Sequence, residues 1–239
     1  MLNQPVLNRP VLNRSVAVMR MHLVDRATLF VLPLGIVAAS FATNIVIWSL
    51  VPTDGRSTGG AASLYVFVAI AAMFAVARGL PFALGMGSSR RAFALGTGLT
   101  GLVIAAVMGT IYLVLRTLER ATDGWWLQGS FFDFPWFDQA PWPVVWLLFV
   151  VSIAATFALG AWLSGIYARW GTPGLVVAGP LAVLVGGGLA ALVTWRGWWG
   201  DVGTWFADQT PLAAIGWCAV LALALTAATW STLRRVRAA

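Results

Sequence analysis

The chain contains no lysine, one histidine and one cysteine, and its eight acidic residues avoid every long apolar stretch. Each absence excludes a chemistry. A phosphate-cradling P-loop needs its lysine, so the chain is not itself a nucleotide hydrolase, and neither a lysine nucleophile nor a lysine Schiff base is possible. One cysteine, Cys218, lies inside an apolar run; it can build neither a disulfide framework nor a thiolate metal site and reads as a small hydrophobe. The lone histidine, His22, precedes the first apolar run, so an intramembrane metalloprotease lacks ligands. A rhomboid-type serine protease likewise lacks a base for Ser152, Ser164 or Ser231. Proton-coupled transport normally keeps carboxylates inside the spans, and the absence of any there argues against it.

What the chain has in abundance is apolar length. With 60% hydrophobic residues, it carries six runs at about Thr28–Val51, Ser63–Phe82, Ala92–Leu115, Val144–Ala168, Pro173–Thr194 and Pro211–Leu233. Each is near the ~20 residues that cross a ~30 Å hydrocarbon layer. Continuous rather than alternating apolarity requires helices, since backbone groups in lipid must be satisfied within the segment. The expected fold is an all-α polytopic bundle of six transmembrane helices forming one domain over residues 1–239. The first run is too long for a signal-peptide core and is expected to stay as a span, with Met19 and Met21 as alternative starts.

Charge sets the expected orientation. Arg9, Arg14, Arg20, Arg26, Arg78, Arg90, Arg91, Arg169, Arg234, Arg235 and Arg237 fall on one side of the runs, and only Arg56, Arg116, Arg120 and Arg196 on the other. By the positive-inside rule both termini are cytoplasmic, in a bacterial plasma membrane. Asp54, Glu119, Asp123, Asp133, Asp138, Asp201 and Asp208 then lie outside, leaving Asp25 within. The net charge of +7 is thereby topogenic and lipid-facing, and no nucleic-acid partner is expected.

The N-terminal arm repeats Pro5-Val6-Leu7-Asn8-Arg9 as Pro10-Val11-Leu12-Asn13-Arg14, and its prolines predict irregular backbone. From a Ser15 cap to Arg26, the spacing predicts an interfacial helix in residues 1–27, with Val16, Met19, Leu23 and Val24 on its apolar arc and His22, Asp25 and Arg26 opposite. The alternative is an arm without structure.

After the second run, Pro81 and the glycines are expected to break the helix, and Arg90-Arg91 to start the next span. The stretch Pro81-Phe82-Ala83-Leu84-Gly85, small residues, Arg90-Arg91, Phe93 and Leu95-Gly96 resembles the permease subunit of ATP-binding-cassette exporters of the type-two export family. The resemblance is sharp over Pro81–Gly96 and elsewhere covers only six spans with cytoplasmic ends. It implies that Gly85, Ser88, Ser89, Arg90 and Arg91 couple to separate cytoplasmic ATPase subunits, with ATP and magnesium held there and no cofactor in this chain. It also implies a second permease copy or homologue. Independently, an arginine pair at a membrane boundary suits acids on a docked partner, the alternative being lipid headgroups.

Gly96-Thr97-Gly98-Leu99-Thr100-Gly101 formally spells a dinucleotide fingerprint, but inside an apolar run with no preceding strand it reads as a small-residue contact face. Ser40, Thr43 and Asn44 are candidate pathway residues, and Gly160 with Ser164 permits close helix approach. The outer loops are unusually aromatic. Glu119–Trp142 and Trp195–Thr210 are expected to form interfacial or re-entrant helices, a lid including Trp125, Trp126, Trp198 and Trp199 at headgroup level. The expected function is half of an export pathway, not an enzyme in itself; the alternative is a membrane scaffold or assembly subunit without turnover. A channel is the less attractive third reading, for want of a charged ring or filter motif.

Overall fold

The computed structural model describes residues 11–51 and 56–234 of the 239-residue chain. The first Pro-Val-Leu-Asn-Arg copy, Asp54, Arg235 and Arg237 therefore lie outside the described residues. In order, the helices are α1 (Val11–Val24), α2 (Ala27–Leu50, its first turn a π turn), α3 (Ser63–Gly85), α4 (Arg90–Ala121), α5 (Trp142–Arg196), α6 (Trp199–Ala207) and α7 (Pro211–Leu233). Two dipeptide strands, β1 (Arg56–Ser57) and β2 (Gly129–Ser130), pair in parallel. Among the described residues, α2, α3, α4, α5 and α7 are long and apolar enough to cross a membrane. The expected all-α class holds.

Local chemistry sets the helix ends. Helix α3 runs through Pro81 and stops later, where Gly87 takes φ 77° and the amides of Gly87 and Ser88 donate to Leu84 and Ala83. That double bond is a Schellman close, which needs a left-handed residue that glycine supplies without strain. The expected break at Pro81 is thus corrected: a long apolar helix tolerates one missing donor, and the stop lies at Gly87. Ser89 then caps α4, its hydroxyl accepting the Ala92 amide at 3.2 Å. Helix α4 continues to Ala121, past the expected end at Leu115, so Arg116, Glu119 and Arg120 lie on the helix instead of in a loop.

Helix α5 is broken at Gly171, whose φ of 65° and ψ of −159° suit only glycine. Its 55 residues laid straight would reach about 80 Å. Yet the Trp136 indole donates to the Gln209 carbonyl at 3.0 Å, and segments 136–142 and 196–209, fully extended, reach only about 65 Å together. The chain therefore folds back at Gly171.

The core has two parts. Leu64, Val68, Ile104, Met108, Tyr112, Phe149 and Ile153 pack in the main cluster, and Val18, Val76, Leu80, Phe93, Ala161 and Leu233 form a smaller one at the arginine-rich end. Without a strong hydrophobic drive between helices in lipid, close approach of small residues carries the packing. A Cβ on Gly160 would fall on the Ala69 carbonyl, and one on Gly96 would sit 2.6 Å from the Ser15 carbonyl oxygen.

Helix α1 departs from expectation in two ways. It begins at Val11, so Val11–Arg14 of the second repeat copy are helical instead of irregular. Ser15 is therefore not a cap but a fully buried residue inside the helix. The apolar arc is also rotated: Ser15, Val18 and His22 face the bundle, while Val24 is 81% exposed.

Candidate functional site

At the arginine-rich end, residues 86–89 join α3 to α4, and the expected coupling residues cluster around that turn. Gly85, Ser89 and Arg91 are exposed, Ser88 and Arg90 partly covered. The flanking residues are the reverse: Leu80, Ala83, Ala92 and Phe93 are all 3% exposed or less. A small exposed turn thus sits on two firmly packed helix ends. The Arg90 Nε is buried without a hydrogen-bond partner among the described residues.

Beside the turn, α1 docks through His22. Its Nε2 shares a hydrogen bond with the Thr97 hydroxyl at 3.1 Å, and its ring meets Phe93 edge-on at 5.5 Å. Burial pushes the His22 imidazole down to about 4, since charging it would strand a cation among apolar walls. The polar-face assignment of His22 is corrected accordingly. Asp25, exposed at the end of α1, is held below the ordinary carboxylate range by Thr28, first through its side-chain hydroxyl and then through its amide, which donates to the carboxylate at 3.1 Å.

The fingerprint-like stretch on α4 is a contact face, as its small residues suggest. Gly96 receives Val18, and a Cβ on Gly101 would lie 2.5 Å from the Phe157 ring. The pathway candidates use their donors within α2: Thr43 donates to the Ala39 carbonyl and Asn44 to the Ser40 carbonyl. Ser40 and Asn44 are partly covered and Thr43 is exposed.

The opposite end is closed by a cap that sequence reasoning did not find. Glu119, 2% exposed, sits at its centre. Its carboxylate accepts the backbone amides of Phe131, Phe132 and Asp133 at 2.9–3.2 Å and the Trp125 indole N–H at 2.7 Å. A negative charge held by converging amides resembles an anion nest filled by the chain's own side chain. Around it, Arg116 pairs with Asp133 at 2.6 Å and Asp138 at 3.4 Å and lies over the Phe137 ring. Arg120 joins the same two aspartates. Arg56 donates to the Leu127 carbonyl at 2.7 Å, tying the α2–α3 connection to this cap.

Between Ala121 and Trp142 the aromatic loop thus forms short turns and a strand in place of the expected interfacial or re-entrant helices. Residues 124–128 form a left-handed turn, with Asp123, Trp125, Trp126 and Gln128 all at positive φ, followed by β2 and a 3-10 turn at Pro135–Gln139. Phe131 and Phe132 are buried in the core, packed on Tyr112 and Phe41, instead of sitting at headgroup level. Of the expected lid, Trp126 is 81% exposed and Trp125 half-buried, while Trp198 and Trp199 are exposed on the short α6 segment. The Arg196 guanidinium lies 5.3 and 5.4 Å from the Trp195 and Trp198 rings. Among the described residues, no three His, Cys, Asp or Glu side chains converge to hold a metal.

The second arm of α5 stands apart from the rest. Every residue from Gly179 to Leu192 is exposed, and Gly179, Gly186, Gly187 and Gly188 have open space where a Cβ would project. Comparison with family models, with curated proteins and with solved structures finds no match for this chain.

Proposed function

We propose that this chain is the transmembrane subunit of an ATP-driven exporter, forming half of a translocation pathway in a bacterial plasma membrane. In this reading the two arms of α5 are separate spans, giving six, and the arginine-rich end with both termini faces the cytoplasm. The observation that carries the proposal is the exposed turn at 86–89, mounted on buried helix ends. A push on Gly85, Ser88, Ser89, Arg90 or Arg91 would reach α3 and α4 through well-packed side chains with little loss in side-chain motion. Cytoplasmic ATPase subunits, holding ATP and magnesium, would supply that push.

A second permease copy or homologue completes the path. The main core is filled with Leu64, Ile104, Met108 and Ile153 and closed at one end by the Glu119 cap, which supports a route between chains over one through a single bundle. The all-round exposure of residues 179–192 supports a partner on that arm, since a span packed against its own bundle on one side would not expose every position.

The test is co-expression with a P-loop ATPase that co-purifies with the chain, followed by ATPase assays in liposomes. Arg90→Glu/Arg91→Glu should abolish assembly or stimulated hydrolysis. Unchanged assembly and turnover in that double variant would refute the coupling role, and assembly without any ATP turnover in the parent complex would favour a scaffold.

A further inference from the structure

Where α1, the start of α2 and the last turns of α3 meet, they enclose a cleft of about 150 Å³ that includes Met21, His22, Leu29, Phe74, Arg78 and Phe82 in its lining. We propose that this cleft seats the headgroup phosphate of an anionic phospholipid drawn from the surrounding leaflet, with the Arg78 guanidinium as its ligand.

Arg78 is exposed and, among the described residues, makes no hydrogen bond or ion pair. Its guanidinium lies 5.1 Å from the centre of the Phe74 ring, which orients the planar fork and leaves its N–H edge open. A fork of that kind matches two phosphate oxygens at once. The floor is the neutral His22 ring, which fits only because position 79 is glycine: a Cβ there would lie 2.8 Å from His22 Cε1. Asp25 and Thr28 share the rim, with the Asp25 carboxylate turned onto the Thr28 amide; the Arg78 charge lies close enough to favour that carboxylate's ionised form. Arg26, exposed beside it, offsets the acid.

The remaining walls select a lipid over a free anion. Phe82 is 56% exposed and Phe74 37% exposed, so apolar surface flanks the cation where the charged end of the bundle gives way to its apolar spans. The volume is below the ~300 Å³ of a drug-sized pocket, leaving room for a phosphate and its glycerol linkage with the acyl chains outside. The inference needs only that the chain be embedded in a membrane, so its failure would leave the transport reading intact.

The experiment is delipidation of the full chain in detergent, transfer to phosphatidylcholine vesicles with or without phosphatidylglycerol, and native mass spectrometry of retained lipid. Wild type should keep one phosphatidylglycerol per chain. Arg78→Gln should lower that retention about tenfold, the worth of one oriented charge contact, while Arg91→Gln, at the same end but outside the cleft, should not. Arg78→Lys keeps the charge without the fork and should lose retention by a smaller factor, which preserves the test if Arg78→Gln fails to fold. Equal retention in both Arg78 variants and wild type, equal loss in Arg91→Gln, equal retention of phosphatidylcholine, or displacement of the lipid by millimolar inorganic phosphate would each overturn the proposal.

Discussion

Replacing Glu119 by glutamine exchanges one oxygen for an NH2 group and should loosen one whole end of the molecule. The carboxylate accepts four donors, the amides of Phe131, Phe132 and Asp133 and the Trp125 indole. A glutamine retains one acceptor oxygen and points an NH2 group at donors, so about two charge-assisted hydrogen bonds are lost at ~1.5–3 kcal/mol each. Release of a buried charge from its desolvation penalty returns part of that, leaving a net cost of about 2–5 kcal/mol. The neighbouring turn depends on the clamp. Asp123, Trp125, Trp126 and Gln128 are held at positive φ, each costing ~1–2 kcal/mol for a non-glycine residue. Thermal unfolding in detergent, followed by tryptophan fluorescence, should show a midpoint lowered by roughly 4–20 °C at ~2–4 °C per kcal/mol. Hydrogen exchange should place the loss locally, with the amides of residues 131–133 exchanging faster while those of α3 hold. A variant within 2 °C of wild type, with those amides still protected, would refute the clamp.

Lowering pH should undock α1, because His22 is held neutral when folded: its contribution is complete above pH ~6.5, and declines as pH falls toward about 4, by about 3 kcal/mol in all. Protease protection of α1 across that range measures it, and protection unchanged from pH 7 to 4 would count against it. Gly160→Ala should destabilise the bundle by ~2 kcal/mol or more, since the added methyl meets the Ala69 backbone carbonyl; unfolding midpoints compare it with Gly98→Ala, which meets open space. Gly187→Leu should leave the monomer's unfolding unchanged yet lower the dimer fraction seen by cross-linking in liposomes, and a dimer fraction equal to wild type would remove the second arm of α5 from the pairing surface.

The spans were legible because hydrocarbon thickness sets a length that composition alone reveals, and α2, α3 and α7 fall within a few residues of their expected bounds. The cap was not legible. Three of the four donors to Glu119 are backbone amides, which leave no mark in a sequence; a single glutamate beyond an apolar run looks like any solvated acid. The inward turn of Phe131 and Phe132 is not legible in the sequence, since aromatic content cannot distinguish rings that turn inward from rings that meet headgroups. His22 did leave a signal: Ser15, Val18 and His22 recur at helical spacing, and Gly79 and Gly96 offer the small surface that receives them. The arc built from Val16, Met19, Leu23 and Val24 assumed a flat lipid surface, whereas helices already at that end supply a grooved one.

The two ends of the bundle treat charge in opposite ways. At the cap, Arg116 and Arg120 are matched by Asp133 and Asp138, and Glu119 by amides, so the charges close on one another. At the other end Arg20, Arg26, Arg91 and Arg234 are exposed and have no carboxylate partner among the described residues, with Asp25 turned to its own backbone. Self-matched charge rigidifies, because moving any member strands the others in a poor dielectric. Unmatched charge on exposed side chains costs little until an anionic surface arrives, and then contributes directional contacts at once. External binding is therefore expected at the arginine-rich end and structural closure at the cap. Neutralising these exposed arginines should weaken association with an acidic protein partner with little effect on folding, whereas Asp133→Asn should weaken folding first.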